Sequence, residues 1–182
     1  GTWDNKGFVN TVNAGLFYDG SILYSGEFDR GLLKSDANFN FTGVNKSLTG
    51  TCEKLQFSSP QSDGCGNTNS PSITDCKFVT KHTFSGTTTY YAGVAEGTSS
   101  NQGRGYVMQR ISTANTWSQL GNTLCGDPMK IIFDSPNNVY CILHDKLNSN
   151  GDQLYYLSGG TWTLCTLTYL TNNINHDIQD AL

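Results

Sequence analysis

The sequence predicts an all-β protein made of propeller-like repeats, each a four-stranded antiparallel blade. Three observations predict it. Residues 130–134 read as a buried strand, 135–138 as a turn and 139–145 as a second buried strand, and this hairpin pattern recurs along the chain. A Thr-Trp dipeptide recurs with it: Trp3 stands 16 residues before Asp19, Trp117 stands 17 before Asp134, and a third copy is Thr161-Trp162. Trp117 to Trp162 is 45 residues and Tyr91 to Tyr140 is 49, periods that suit four-stranded propeller blades.

Taken in order, residues 1–11 carry Trp3 and Phe8 among polar neighbours and read as a terminal strand or arm. Residues 12–33 form a hairpin around Asp19-Gly20, because Asp-Gly suits a turn whose residues need positive φ. Residues 37–48 alternate, with Phe39 and Phe41 on one side and Asn38 and Asn40 on the other, which marks a strand with one wet face. Residues 58–76 are almost devoid of apolar side chains and are bracketed by Cys52, Cys65 and Cys76, so they read as an insertion stapled by at least one disulfide. Strand character returns at Phe78-Val79. There Phe84-Ser85-Gly86 leads through residues 87–89 into a strand beginning at Tyr90. Residues 97–105 are a tip, 106–111 a strand, and Trp117 lies at a turn before the 130–145 hairpin. Residues 148–152 are a turn, while 154–157 and 161–170 are strands. Ile174, Ile178 and Leu182 have helical spacing, although the segment also sits where another repeat would begin. The result is one all-β domain over 1–182 with three units, 3–50, 51–117 (with the insertion 52–76) and 118–162, plus terminal segments 1–11 and 163–182.

Composition narrows the function classes. Charged residues are 14% of the chain, well below the usual quarter, and aromatic content is 12%, too high for a disordered chain. The net charge is −4 and the 11 Lys and Arg residues form no stripe, which argues against a nucleic-acid partner. No apolar run is long enough for a membrane helix. The chain opens at Gly1 without an initiator Met or leader, as expected of a processed chain or a fragment.

Six cysteines, Cys52, Cys65, Cys76, Cys125, Cys141 and Cys165, show no metal-ligand spacing. An even number of this kind predicts disulfides and an extracellular compartment, with the pairing left open. Sequons at Asn40 and Asn45 predict glycosylation and agree with that compartment.

No catalytic, metal or cofactor site is expected. His82, His144 and His176 lack ligand spacing, and His144 is placed to bond its neighbour Asp145. Glu27 and Asp29 read as solvated charges at a strand end. The tract 148–152 resembles a calcium loop, but its glycine comes too early. Trp3, Trp117 and Trp162 read as anchors packed between units. Tyr90-Tyr91 and Tyr155-Tyr156 each point one ring inward and one outward by strand alternation, so the outward rings offer a ligand surface.

The run Asp19-Gly20-Ser21-Ile22-Leu23-Tyr24-Ser25-Gly26-Glu27-Phe28, with Trp3 ahead of it, resembles the blades of secreted kelch-like β-propellers. Trp117-Ser118-Gln119-Leu120-Gly121 is similar to the Trp-x-x-Leu-Gly strand that closes such a blade, and the likeness extends over about two thirds of the chain. The sequence departs from that pattern at Cys141-Ile142, where Gly-Gly is usual, and near Ser47, where a Trp is usual. The resemblance implies a binding or scaffold module without catalytic residues. Three units fall short of the four that a propeller needs to close. The expected partners are therefore copies of the chain itself, joined through exposed sheet edges into an oligomer or filament. On that reading the N-terminal arm is an ordered strand added to an edge through Trp3. A glycan-binding module is the alternative function, and a β-sandwich or jelly roll with exchanged terminal strands is the alternative fold.

Overall fold

The computed structural model describes residues 13–27, 31–35, 41–43, 54–56, 75–95, 104–114, 116–135, 138–144 and 151–166. Among these residues the chain is all-β. The first sheet is a meander of β1 (Asn13–Tyr18), β2 (Leu23–Glu27), β3 (Gly31–Ser35) and β4 (Phe41–Gly43). A short strand, β5 (Lys54–Gln56), follows. The second sheet is a meander of β6 (Asp75–Phe84), β7 (Thr87–Ala95), β8 (Arg104–Ile111) and β9 (Thr116–Cys125), with β5 added in parallel beside β9. The third repeats the meander with β10 (Asp127–Ser135), β11 (Asn138–His144), β12 (Asp152–Ser158) and β13 (Thr161–Leu164).

Local chemistry sets the hairpins. Between β1 and β2, Asp19 Oδ1 accepts the Ser21 and Ile22 amides, each at 2.8 Å, while Gly20 takes a φ of 107°. Between β6 and β7 the loop is Ser85-Gly86, with φ of 47° and 77°. Two positive φ values are what a two-residue hairpin loop needs to match the twist of its strands. Residues 87–89, expected as the turn, therefore already belong to β7.

The sheets stack face to face in chain order. Along β7, Tyr90, Ala92 and Val94 point toward the first sheet and join a cluster with Tyr24, Tyr106, Met108 and Trp117. Phe17 and Ile22 pack against that cluster from the first sheet. Tyr91 points the other way and packs on a second cluster of Val107, Leu124, Ile131, Cys141, Leu143 and Trp162. The middle sheet is thus buried on both faces. The second and third sheets are close enough that Gly93 and Gly105 admit no side chain, since an added Cβ would strike Phe78 and the Pro128 carbonyl in one case and the Gly126 carbonyl and Pro128 ring in the other.

The repeat is visible in the Thr-Trp pairs. Thr116-Trp117 opens β9 and Thr161-Trp162 opens β13, each the fourth strand of its meander. Trp117 therefore starts a strand instead of marking a turn, and the second sheet runs on to Cys125, past the expected unit boundary at 117. Gly126 alone separates β9 from β10. The strand expected over 161–170 ends at Leu164. The 154–157 and 106–111 strands lie within β12 and β8. Of the strand expected at 37–48, Phe41–Gly43 is described as β4. The insertion at 58–74, the arm at 1–11 with Trp3, the sequons at Asn40 and Asn45, and the tract 167–182 lie outside the described residues.

Candidate functional site

A polar clamp inside an aromatic layer joins the first two sheets. The Arg110 guanidinium on β8 lies 4.5 Å from the Tyr90 ring centroid and 5.4 Å from that of Trp117. It donates to Tyr24 Oη at 2.7 Å and to the Ala114 carbonyl at 3.0 Å. Arginine suits the position because a planar, weakly hydrated cation can stack on rings and still direct N–H groups sideways. Tyr90 Oη donates to Asp19 Oδ2 at 3.0 Å, and Lys81 Nζ to the Asp19 carbonyl at 3.0 Å. Burial raises the Asp19 pKa, but the bonds from Ile22, Ser21 and Tyr90 outweigh it and hold the carboxyl below its ordinary value.

A second clamp joins the second and third sheets. Leu120 pairs with Val107 and Leu124 with Gly105, so Gly121, Asn122 and Thr123 bulge opposite Tyr106. Gly121 has a φ of 75°, and the Trp162 indole lies directly over it. Trp162 Nε1 donates to the Leu120 carbonyl at 2.8 Å, and the Trp162 amide donates to Asn122 Oδ1 at 2.6 Å. Both N–H groups of Trp162 are thereby engaged by the sheet behind it. Lys77 on β6 and Asp127 on β10 add an ion pair at 3.0 Å with both side chains almost fully buried.

These contacts bear on sheet edges. An unpaired edge amide is a template for another strand. On β13 the Trp162 amide is taken by Asn122, and the outer side of β9 is paired with β5 over residues 116–118. The face of the third sheet turned away from the second carries Ile132, Tyr140, Ile142, Leu154 and Tyr156, and Ile142 there is 1% exposed. Their neighbours in the chain, such as Ile131, Cys141 and Tyr155, point into the second cluster.

The predicted site residues are distributed across these layers. Trp117 and Trp162 are buried, one in each cluster between sheets. Tyr90 is 8% exposed and stands in the first cluster, while Tyr91 lies 4.8 Å from Phe133, which in turn stacks on His82 at 4.4 Å. Burial raises the Tyr91 phenol above its usual pKa against a lowering bond with Thr89. Tyr155 packs on the second cluster, and Tyr156, at 39%, is the most open of the four. The expected pattern of one wet ring per pair fails at Tyr90-Tyr91, because β7 lies in a sheet covered on both sides.

His144 Nδ1 lies 2.9 Å from Asp152 Oδ1 across the β11–β12 pair, so Asp152 is a carboxylate partner of the ring, while Asp145, the neighbour expected in that role, lies outside the described residues. Among the described residues no three His, Cys, Asp or Glu side chains gather as a metal group, and no helix is long and apolar enough to cross a membrane.

The cysteines differ from expectation. Cys76, Cys141 and Cys165 carry thiols instead of disulfides. The reason is their placement: Cys76 faces the first cluster and Cys141 the second, on opposite sides of the middle sheet, while Cys165 lies past the end of β13. Cys125 is not among the thiols, and Cys52 and Cys65 lie outside the described residues.

Asn122, Arg110, Lys77 and Asp127 are the structural residues that the sequence reading missed. Gly121 followed by Asn122 inside an otherwise strand-like run was a signal for a bulge. Against the known proteins, no family model matches the chain and no curated protein matches it.

Proposed function

We propose that the chain is an extracellular, non-enzymatic interaction module of kelch-like propeller repeats that assembles with copies of itself. The observation that supports this most is the stack. Three meanders bury both faces of the middle sheet, while each end sheet keeps one face outside the two clusters. A propeller needs at least four blades to close, so three such units form an open arc. Part of the β9 edge is paired with β5 and the Trp162 amide of β13 is taken by Asn122, while β1, β4, β6 and β10 remain the other edge strands through which copies join. In this reading Cys125 pairs with Cys52 or Cys65 in an oxidising compartment, and the sequon asparagines Asn40 and Asn45 are glycosylated.

Light scattering coupled to size-exclusion chromatography, over a wide concentration range, tests the reading. Mass should rise with concentration toward multiples of the chain. A monomer throughout overturns self-assembly. A monomer that also binds one defined sugar on a glycan array selects the lectin-like alternative, with Tyr156 the most open of the four tyrosines expected at its surface.

A further inference from the structure

Cys125 ends β9 and is not among the thiols, whereas Cys76, Cys141 and Cys165 are. Two cysteines of the chain remain to partner it, Cys52 and Cys65. The register of the second sheet decides between them.

β5 runs parallel to β9, with Lys54 opposite Thr116 and Gln56 opposite Ser118. On the other side of β9, Ser118 stands opposite Gln109 of β8 and Cys125 opposite Arg104. Those five steps along β8 measure the distance past the bulge in β9, roughly 16 Å at about 3.3 Å per residue. Thr116 lies two residues further back, roughly 23 Å from Cys125. Cys52 precedes Lys54 by two residues, so its Cα lies within about 7 Å of that of Lys54. Even a chain doubling back along β9 leaves Cys52 about 16 Å from Cys125, and a disulfide spans a Cα separation of at most about 7 Å. Cys52 is out of reach.

Cys65 is within reach from both sides. Because β5 is parallel to β9, the chain leaves Gln56 toward the end of the sheet that carries Cys125. Gln56 lies roughly 17 Å from Cys125 by the same count. Nine residues lead from Gln56 to Cys65, a reach of up to about 30 Å. β6 begins at the same end of the sheet: Asp75 is opposite Ala95, Ala95 opposite Gly105, and Gly105 opposite Leu124. Three strand spacings, roughly 14 Å, separate Asp75 from the end of β9. Cys65 stands ten residues before Asp75, in the middle of the connection between the two edge strands.

We infer that Cys125 is bonded to Cys65, and that this disulfide fastens the connection between β5 and β6 to the end of the second sheet. This rests on the oxidising compartment of the proposed function, names the pairing there, and leaves Cys52 as a fourth thiol. The oxidant is a disulfide, of which oxidised glutathione is the simplest. One cysteine thiolate attacks it to give a mixed disulfide, and the second thiolate displaces the glutathione. The two electrons and two protons of the cysteine thiols end on two glutathione thiols.

The full chain, refolded in a glutathione redox buffer, is alkylated under denaturing conditions without reduction and digested with trypsin. Cys52 then lies in peptide 47–54, Cys65 and Cys76 in 55–77, and Cys125 in 111–130. Mass spectrometry should find 55–77 joined to 111–130, with label on Cys52, Cys76, Cys141 and Cys165, and fragmentation should place the bond at Cys65. Cys65→Ser should open Cys125 to label and lower the melting temperature by about 4–16 °C, while Cys52→Ser keeps the bond. The parent map decides the pairing even if Cys65→Ser fails to fold. Peptide 47–54 joined to 111–130, or a bond at Cys76, overturns the pairing while the oxidising compartment stands. Label on all six cysteines overturns both. The map reads the same for a monomer as for an oligomer, so its outcome is separate from that of self-assembly.

Discussion

Gly121→Ala measures the latch between the second and third sheets. The residue has a φ of 75°, and a Cβ there would lie 2.6 Å from Cδ1 and Nε1 of Trp162 and 3.1 Å from Leu157 Cδ1. Left-handed backbone costs an L-residue about 1–2 kcal/mol. The indole must also retreat, which strains the Nε1 bond to Leu120, worth about 0.5–1.5 kcal/mol, and crowds the second cluster at about 1–3 kcal/mol. The total is about 2.5–6.5 kcal/mol. Gly86→Ala is the control, since its φ is 77° and nothing lies within 4 Å of its Cβ position. It incurs only the backbone strain, about 1–2 kcal/mol. Urea unfolding followed by tryptophan fluorescence should separate the two variants by about 1.5–4.5 kcal/mol. Thermal scans should show a gap of about 3–18 °C, at 2–4 °C per kcal/mol for a chain of this size. If the two variants lose the same stability within about 0.5 kcal/mol, the indole does not rest on Gly121 and the latch is wrong.

Four further outcomes follow from other contacts. Lys77→Met should cost about 3–5 kcal/mol because it takes a counterion from the buried Asp127, and adding Asp127→Leu should recover part of the loss in a urea titration. Arg110→Lys should cost about 1.5–3 kcal/mol by the same assay, since an ammonium cannot both stack on Tyr90 and donate to Tyr24; parent-like stability would refute the clamp. Asp19 has a depressed folded pKa, so its contribution is present above the unfolded value and is lost as pH falls through the folded one. The melting-temperature gap between the parent and Asp19→Asn should accordingly be widest above about pH 4 and narrow below it. In native alkylation at mildly alkaline pH, peptide mapping should find label at half-buried Cys165 first. Cys141, whose thiol is pushed far up by burial, and buried Cys76 should label only after denaturation.

Much of the strand order was legible because its causes are local. Asp19-Gly20 sets one hairpin through the Asp19 carboxylate and a positive φ, and the apolar run across 130–144 appears as β10 and β11. The period of two along β7 was equally local, yet it could not say that both its faces are covered. That depends on the first and third sheets closing on it from opposite sides. For the same reason the thiols were misjudged: composition counts cysteines, whereas only stacking places Cys76 and Cys141 on opposite sides of the middle sheet. By itself the sequence determined an all-β chain of short strands, its turns, and the recurrence of Thr-Trp. The tertiary structure alone decided that these Trp residues lock one sheet to the next. The bond from Trp162 to Asn122 joins positions 40 apart, and no local pattern encodes a contact made across space by a bulge.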